Sequence, residues 1–324
     1  MKAVVLDRYG PPEVLRLEEV ERPTPGADEL LVRVHATTVT RSDCHLRRAD
    51  PFFWRFIVGL RRPRHRVLGL EFAGVVEAVG SSVHDFAVGD EVFGRTWFGP
   101  HAEFTTVRAD RLVAHKPANV TFHEAAATPD GVLNALACLR GAGVGAGMEV
   151  LVFGASGSIG TAAVQLARHL GARVTAVCRT ENIELVRSLG ADEVLDYTRG
   201  EDFTKNRGAY DVVIDAVGKH SYARSRRALK PGGRYISSDG LLNILLIPVT
   251  RFLSRRVALL ALRARQADMV KLKELLETGA YRAVIDRTYP LDEVVEASRY
   301  VETLRKTGNV VLAVVTGSSE SEES

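Results

Sequence analysis

The segment LVFGASGSIGTAAVQLA, residues 151–167, restricts the possible folds of this chain more than any other part of the sequence. A short apolar run meets Gly154, Gly157 and Gly160 at three-residue spacing, and a helical pattern follows. A strand that enters a glycine-rich turn and continues as a helix is typical of a βαβ unit that binds a dinucleotide. The glycines allow a tight turn and close approach of a pyrophosphate, and the helix N-terminus supplies N–H donors. The alternative is a glycine turn that serves packing alone.

Strands and helical patterns alternate from residue 148 onward, which predicts an α/β domain with a doubly wound parallel sheet. The last of these helices is predicted over YARSRRALK, with a turn at Pro231-Gly232-Gly233 before the next strand. The predicted strands are EVLVFGA, RVTAVC, DEVLDY, YDVVIDAVG and GGRYISS.

The N-terminal part of the chain has a different character. Runs such as KAVVL, DELLVRVHATTV and VLGLEFAGVVEAVG, separated by proline and glycine turn signals, predict a β-rich, barrel-like domain. Thr121 and Glu124 form a capping-box signature where helical patterns begin, and the closing run NVVLAVV is expected to return to the β-rich part. The predicted organisation is 1–125 for the first part of the β-rich domain, 126–265 for the dinucleotide-binding domain, 266–316 for the return, and 317–324 for an acidic, disordered tail.

Composition excludes several classes of protein. The formal net charge of +3 is too small and scattered to indicate a nucleic-acid partner. Three distant cysteines make a disulfide framework or a structural zinc site implausible, and the first residues lack the apolar region of a secretory signal, so a cytoplasmic location is expected. The apolar stretch 241–262 contains mid-span arginines, which disfavour a membrane span and favour a buried or interface element. An exposed apolar face there would favour a homodimer.

The end of the second predicted strand indicates which dinucleotide is bound. An NAD site usually places Asp or Glu about 20 residues past the glycine loop, where it bonds the ribose 2′-hydroxyl. Cys178 occupies that place here, and Arg179 follows it. Because an arginine can pair with a 2′-phosphate, we expect NADP(H) to be preferred over NAD(H). Glu181 opposes this preference unless it is a first-turn acid beside Thr180.

Motifs along nearly the whole chain resemble those of the medium-chain dehydrogenase/reductase superfamily, in its zinc-free, quinone-oxidoreductase-like (zeta-crystallin-like) branch. The resemblance is carried by VLGLEFAGVVEAVG, VGDEVFG, HAEF, VLVFGASGSIGTAAVQLA, GADEVLDY, YDVVIDAVG and VIDRTYPLDEVVEA. It implies a GroES-like β-rich catalytic domain interrupted by a Rossmann domain, with the substrate in the cleft between them.

The resemblance also shows which metal ligands are missing. Zinc-dependent relatives have a cysteine where this chain has Thr40, a histidine where it has Leu70, and a third ligand near Asp130, while Glu71 is retained. A tetrahedral site needs three good ligands, so we expect no zinc. Cys44 and His45 are close in sequence, but their register is off.

Without a Lewis acid, electron-poor acceptors remain feasible substrates. We expect hydride transfer from NADPH to a small lipophilic quinone or α,β-unsaturated carbonyl. The alternatives are a 2-enoyl thioester reductase, and an NADPH-binding sensor or partner protein with little turnover.

The expected catalytic residues are Thr40 and Asp43, because the resemblance places their loop beside the nicotinamide. Thr40 could donate to a substrate oxygen, or be a turn hydroxyl; Asp43 could orient neighbours, or be a first-turn helix acid. His101 could donate a proton, or be a hydrogen-bonded structural histidine.

The expected cofactor-binding residues lie in the glycine loop and at the carboxyl ends of the later strands. In the family, Tyr197 matches a residue near the adenosine end, and Asn309 stands where a lysine is usual. The full set is Gly154, Ser156, Gly157, Ser158, Ile159, Gly160, Cys178, Arg179, Thr180, Tyr197, Asp215, Val217, Gly218, Ser237, Ser238 and Asn309.

The insert PFFWRFIVGLRRPRHRV, residues 51–67, combines an apolar stretch with a basic cluster. It could cover the cleft for a lipophilic substrate, touch an anionic membrane surface, or be a packed helix with a solvated basic end.

Overall fold

A computed structural model describes residues 1–238, 241–250, 253–257 and 264–314 of the chain. The tail predicted to be disordered, 317–324, lies outside these residues, as does part of the apolar stretch 241–262. No helix in the described part of the chain is long and apolar enough to cross a membrane.

In chain order, the strands are β1 (Lys2–Leu6), β2 (Leu15–Glu19), β3 (Glu29–Thr38), β4 (Glu71–Val79), β5 (Glu91–Arg95), β6 (Phe104–Arg108), β7 (Val113–His115), β8 (Glu149–Phe153), β9 (Arg173–Cys178), β10 (Glu193–Asp196), β11 (Tyr210–Asp215), β12 (Leu229–Ser237), β13 (Arg256–Val257), β14 (Ile285–Pro290) and β15 (Asn309–Ala313). The α-helices are α1 (Arg41–Arg48), α2 (Arg55–Val58), α3 (Phe122–Ala126), α4 (Pro129–Ala142), α5 (Ser158–His169), α6 (Ile183–Ser188), α7 (Tyr222–Ser225), α8 (Leu241–Thr250), α9 (Gln266–Glu277) and α10 (Val294–Glu302).

The chain forms two compact units. Unit 1 contains Met1–Asp130, Arg265–Glu277 and the described residues from Ala283 onward; unit 2 contains Gly131–Ala264 and Thr278–Arg282. The division therefore falls a few residues later than the predicted boundary at 125, and unit 2 also takes a short segment from the predicted return.

Unit 1 is built on a seven-stranded sheet. Its order is β14-β15-β3-β4-β5-β7, with β6 also paired to β3, and β1 and β2 form a separate antiparallel pair. The closing strand β15 runs antiparallel to β3, with Val311 opposite Thr38. Side chains of β3, β4, β5 and β6 form an apolar core that includes Val32, Phe72 and Val92. The unit is the β-rich, GroES-like part of the predicted fold.

Unit 2 has a six-stranded parallel sheet in the order β10-β9-β8-β11-β12-β13. Its central strands are near-continuous apolar runs, as expected for strands covered on both faces. Val150, Leu151 and Val152 of β8 are fully buried. This sheet confirms the predicted doubly wound α/β architecture.

The helix predicted over YARSRRALK is wrong beyond its first turn. Only Tyr222–Ser225 is helical, and β12 begins at Leu229. The N–H groups of Ala209 and Tyr210 both donate to the Ala228 carbonyl, which draws that segment into the sheet. The predicted turn at Pro231-Gly232-Gly233 lies inside β12, where the pairing register with β11 shifts.

Candidate functional site

Two glycines of the turn between β8 and α5 are required for packing. Gly154 has a φ of +76°, and a Cβ there would lie 2.3 Å from Val217 Cγ2. A Cβ at Gly160 would lie 2.1 Å from the Gly154 carbonyl oxygen. Since real Cβ atoms do not approach this closely, Gly154 is needed to pack the turn against Val217, and Gly160 is needed to pack α5 against the turn.

Gly157 leaves the opposite side of the turn open. It is the N-cap residue of α5 and provides no side-chain hydrogen bond to the helix. A Cβ at Gly157 would meet only the Gly154 carbonyl oxygen, at 3.6 Å. The first N–H groups of a helix have no partner within it, and the helix dipole favours an anion there. Ser156, Ser158 and Ile159 line the turn half-buried, so this loop fits the pyrophosphate of a dinucleotide.

The end of β9 presents a guanidinium group and no carboxylate of its own. Cys178 is buried, and burial raises the pKa of its thiol to about 11, so the group stays neutral. Arg179 Nε donates to Tyr197 Oη at 3.0 Å. Tyr197 is 47% exposed, so its ring and the guanidinium meet at the surface of the unit.

A carboxylate that the sequence analysis missed lies at the end of the neighbouring strand. Asp196 of β10 pairs in register with Cys178. It accepts hydrogen bonds from Thr180 Oγ1 at 2.5 Å and from the N–H and hydroxyl of Thr198 at 2.9 and 2.6 Å. These bonds lower the pKa of the Asp196 carboxyl, and the bond from Thr180 contributes most. The signal was available, because an acid precedes Tyr197 at a predicted strand end.

The carboxyl ends of β11 and β12 hold a tightly bonded loop. Asp215 Oδ1 accepts from the N–H groups of Val217 and Gly218 at 3.1 and 2.9 Å, and Oδ2 accepts from His220 N–H at 2.8 Å. The Ser238 N–H donates to the Asp215 carbonyl at 2.9 Å, next to Ser237. Asp215 therefore shapes the loop, and its carboxylate is largely used by the protein itself.

Unit 1 contains a buried polar cluster around Glu71. Glu71 Oε1 accepts from the Asp130 N–H at 2.6 Å, and Oε2 lies 2.5 Å from Thr38 Oγ1. The side chain is fully buried. Burial, reinforced by the nearby negative charge of Asp130, raises the pKa of Glu71 to about 8. At neutral pH this carboxyl is mainly protonated.

Two cations accompany these carboxyl groups. Arg95 Nη2 lies 3.0 Å from Asp130 Oδ1. Lys306, which the sequence analysis missed, donates from Nζ to the Gly308 carbonyl. Burial lowers the pKa of its amine to about 8, while the negative charges of Glu71 and Asp130 act in the opposite direction. A single lysine in a connecting segment carries no pattern that would have revealed it.

This donor set does not fit a zinc ion. Thr40 and Leu70, at two of the positions where the resemblance implies zinc ligands, have side chains that do not suit the ion, Asp130 is paired with Arg95, and both oxygens of Glu71 already have partners. Among the residues that the structure describes, no group of three or more His, Cys, Asp and Glu side chains is placed to hold a metal ion.

Thr40 and Asp43 form the capping box of α1. Thr40 Oγ1 accepts from the Asp43 N–H at 3.1 Å and lies 2.7 Å from Asp43 Oδ2, which also accepts from the Thr40 N–H at 2.8 Å. These bonds cap the N-terminus of α1 and do not test a role in catalysis. The catalytic role of the two residues stays a prediction. Burial raises the pKa of Asp43, and the charge of His101 opposes this shift.

His101 lies in the same buried region. Its Nε2 is 2.8 Å from the Thr38 carbonyl, which can only accept, so Nε2 carries a hydrogen. Within the described part of the chain, His101 Nδ1 and Asp43 Oδ1 are buried without a hydrogen-bond partner. Both atoms therefore have unused hydrogen-bonding capacity.

Asn309 is placed in unit 1, whereas the other predicted cofactor residues are in unit 2. Its Nδ2 donates to the Val284 carbonyl at 3.1 Å, and its N–H donates to the same carbonyl at 2.8 Å. The amide thus holds β15 to the segment before β14.

Residues 26–153 match the alcohol dehydrogenase GroES-like domain family, and residues 189–312 match the zinc-binding dehydrogenase family. The chain is 35% identical to the 2-methylene-furan-3-one reductase of Solanum lycopersicum, over 96% of this chain and 79% of that protein. It is 33% identical to the chloroplastic NADPH-dependent alkenal/one oxidoreductase of Arabidopsis thaliana, with the same coverage of both chains.

A solved structure also resembles this chain in fold. The quinone oxidoreductase from Coxiella burnetii superposes with a TM-score of 0.87 at 30% identity, over 97% of this chain and 99% of that one.

Proposed function

The chain belongs to the medium-chain dehydrogenase/reductase superfamily, and we propose that it is a zinc-independent reductase that transfers hydride from NADPH to a quinone or an α,β-unsaturated carbonyl. The reaction class is supported by the relatives above, which are named as a 2-methylene-furan-3-one reductase, an alkenal/one oxidoreductase and a quinone oxidoreductase. The open side of the glycine turn at Gly157 is the observation that carries the cofactor, because it offers helix N–H groups to a pyrophosphate.

The end of β9 supports the preference for NADPH. The bond from Arg179 Nε to Tyr197 holds the guanidinium at the strand end, where a 2′-phosphate would take a charge-assisted pair. The neighbouring carboxylate of Asp196 is engaged by Thr180 and Thr198, so it serves the protein rather than a ribose hydroxyl. When bound, the nicotinamide supplies the hydride.

Zinc independence is supported by the chemistry of the unit 1 cluster. Arg95 lies beside the position where zinc-dependent relatives have their third ligand, and the Lys306 amine is near the same carboxyl groups. The charge of Arg95 is balanced by Asp130, so Lys306 is the cation that would stabilise a developing oxyanion there without a metal.

The test is oxidation of NADPH by the purified, metal-depleted protein, with quinones, conjugated enones and 2-enoyl thioesters as acceptors. Turnover of quinones or enones that a chelator leaves unchanged supports the proposal. Turnover that requires added zinc contradicts it, and so does NADPH binding with no turnover of any acceptor. A preference for 2-enoyl thioesters would assign the alternative activity.

We also propose that the protein is a cytoplasmic homodimer. In the described part of the apolar stretch, Val249 and Leu253 are 63% and 42% exposed, which supports a contact between copies there. A monomer in light scattering at micromolar concentration would contradict the dimer. The Arabidopsis thaliana relative is chloroplastic. Fluorescence microscopy of the tagged protein in its own cells is therefore the test of location.

A further inference from the structure

The insert 51–67 exposes large apolar side chains that the packed-helix alternative would bury. Phe52, Phe56 and Leu60 are 60%, 67% and 53% exposed. Phe52 and Phe56 are four residues apart on a helical segment that runs from Phe52 to Val58, so these two side chains share one face. Leu60 follows two residues after the end of that segment. The rings of Phe52 and Phe56 meet edge to face with centroids 6.0 Å apart.

The opposite face of the segment is anchored in unit 1. Val58 is buried, and Trp54 packs against the same apolar cluster. Tyr9 Oη donates to the Gly59 carbonyl at 2.6 Å, and the Arg64 N–H donates to the Val58 carbonyl at 2.8 Å. The exposed apolar side chains are thus presented by an ordered segment.

Basic side chains follow the apolar face directly. Residues 51–67 contain five arginines and no acidic residue. Arg66 pairs with Asp7 and Glu18, and Arg55 lies over the rings of Tyr9 and Phe52. The remaining three, Arg61, Arg62 and Arg64, are exposed and form no ion pair in the described part of the chain.

We propose that this aromatic–arginine segment, residues 52–64, binds the surface of an anionic phospholipid bilayer. Apolar side chains beside unpaired arginines match the boundary between acyl chains and negatively charged headgroups. Phe52, Phe56 and Leu60 enter that boundary, and Arg61, Arg62 and Arg64 pair with the headgroups.

The alternatives fit these residues less well. A stable protein interface uses about 20–30 residues on each side, which is more than this segment offers. A nucleic acid would match the arginines but would leave the adjoining Leu60 and its neighbours without an apolar partner. A bilayer accepts both kinds of side chain at neighbouring depths.

The test is co-sedimentation of the full-length protein with vesicles of phosphatidylcholine, alone or with added phosphatidylserine. We expect binding only with phosphatidylserine, and weaker binding as salt is raised. Binding to neither vesicle, or equal binding to both, would overturn the proposal. The assay needs no cofactor or acceptor, so its result is independent of the proposed reductase activity.

Two variants and a matched control locate the surface. Arg61→Ser/Arg62→Ser/Arg64→Ser should weaken binding roughly 100-fold, from three headgroup contacts. Phe52→Ser/Phe56→Ser should weaken it at least about tenfold. The control Arg224→Ser/Arg226→Ser/Arg227→Ser removes the same charge from exposed positions in unit 2 and should bind as the unmodified chain does.

The control also separates specific contacts from net charge. If the control loses vesicle binding to the same extent, the loss is due to net charge alone and the proposed site is overturned. If the protein self-associates without vesicles and Phe52→Ser/Phe56→Ser abolishes that association, the surface binds a second copy of the chain instead. Thermal unfolding of each variant checks that it is folded.

Discussion

Arg95 and Asp130 form an ion pair inside unit 1, with Nη2 3.0 Å from Oδ1 and the two side chains only 18% and 9% exposed. Asp130 also donates its N–H to Glu71, so the pair is linked to a second buried carboxyl group. The chain therefore balances the buried Asp130 carboxylate with its own Arg95, while the neighbouring Glu71 carboxyl is mainly protonated at neutral pH.

Breaking this pair on one side should be costly. Arg95→Met leaves the Asp130 carboxylate without its counter-ion, and a buried charge left unpaired costs about 3 kcal/mol of unfolding free energy. Urea denaturation measures the loss. The control is Arg108→Met, whose partners Asp28 and Asp110 are about half exposed, with an expected loss below about 1 kcal/mol.

The double variant Arg95→Met/Asp130→Leu should recover part of the loss, because it removes both charges. A double variant less stable than Arg95→Met alone would show that Asp130 has a role beyond the pair.

Glu71 should make the protein less stable as pH rises. Its pKa is about 8 in the folded state, against an ordinary value of 4.5 for glutamate, so between these pH values the folded state binds more protons than the unfolded state. Stability then falls with pH across that window, by up to about 1.4 kcal/mol per pH unit. The measurement is urea unfolding at several pH values.

Glu71→Gln should flatten this dependence. The glutamine oxygen can accept the Asp130 N–H as Glu71 Oε1 does, and its amide N–H can donate to Thr38 Oγ1, which reverses the bond that this hydroxyl donates to Glu71 Oε2. Glu77→Gln is the control, since Glu77 is on the same strand and forms exposed pairs with Arg22 and Arg33. A Glu71→Gln profile as steep as that of the unmodified chain would show that Glu71 is ionised in the folded state.

Local patterns account for the parts of the fold that sequence analysis predicted. Gly154, Gly157 and Gly160 lie in one contiguous strand–turn–helix segment, so their roles can be inferred without knowing the rest of the chain. The distinction between the packing glycines and the open one needed the structure, because it depends on where Val217 and the Gly154 carbonyl oxygen lie.

Long-range contacts account for what was missed. Arg95 and Lys306 are far apart in sequence, and the charge that attracts each of them to Asp130 leaves no periodic signal. The helix predicted over YARSRRALK follows local propensity, which the backbone bonds of Ala209 and Tyr210 to Ala228 override. The exposure of Phe52 and Phe56 likewise depends on what the anchored face of their segment contacts.

Arg179→Ala should weaken binding of NADPH more than that of NADH. Loss of a charge-assisted pair with the 2′-phosphate costs about 1.5–3 kcal/mol, or roughly 10–100-fold in Kd. Fluorescence titration of the reduced nicotinamide gives both constants. The control Arg187→Ala removes an arginine of α6 that pairs with Glu184, and it should change neither.

Tyr197→Phe should have a smaller effect in the same direction, because it removes only the hydrogen bond that holds Arg179. Equal losses for NADPH and NADH in Arg179→Ala would mean that this guanidinium does not contact the 2′-phosphate.

Gly160→Ala should disrupt the packing of the glycine turn. The added Cβ would lie 2.1 Å from the Gly154 carbonyl oxygen, a contact with backbone that no side-chain movement relieves. The expected cost is about 1–3 kcal/mol of unfolding free energy, and NADPH binding should weaken because α5 is displaced from the turn. The control Gly145→Ala places its Cβ where nothing lies within 4 Å, and it should keep both stability and binding. If Gly160→Ala binds NADPH as tightly as the control does, the helix N-terminus is not where the pyrophosphate is held.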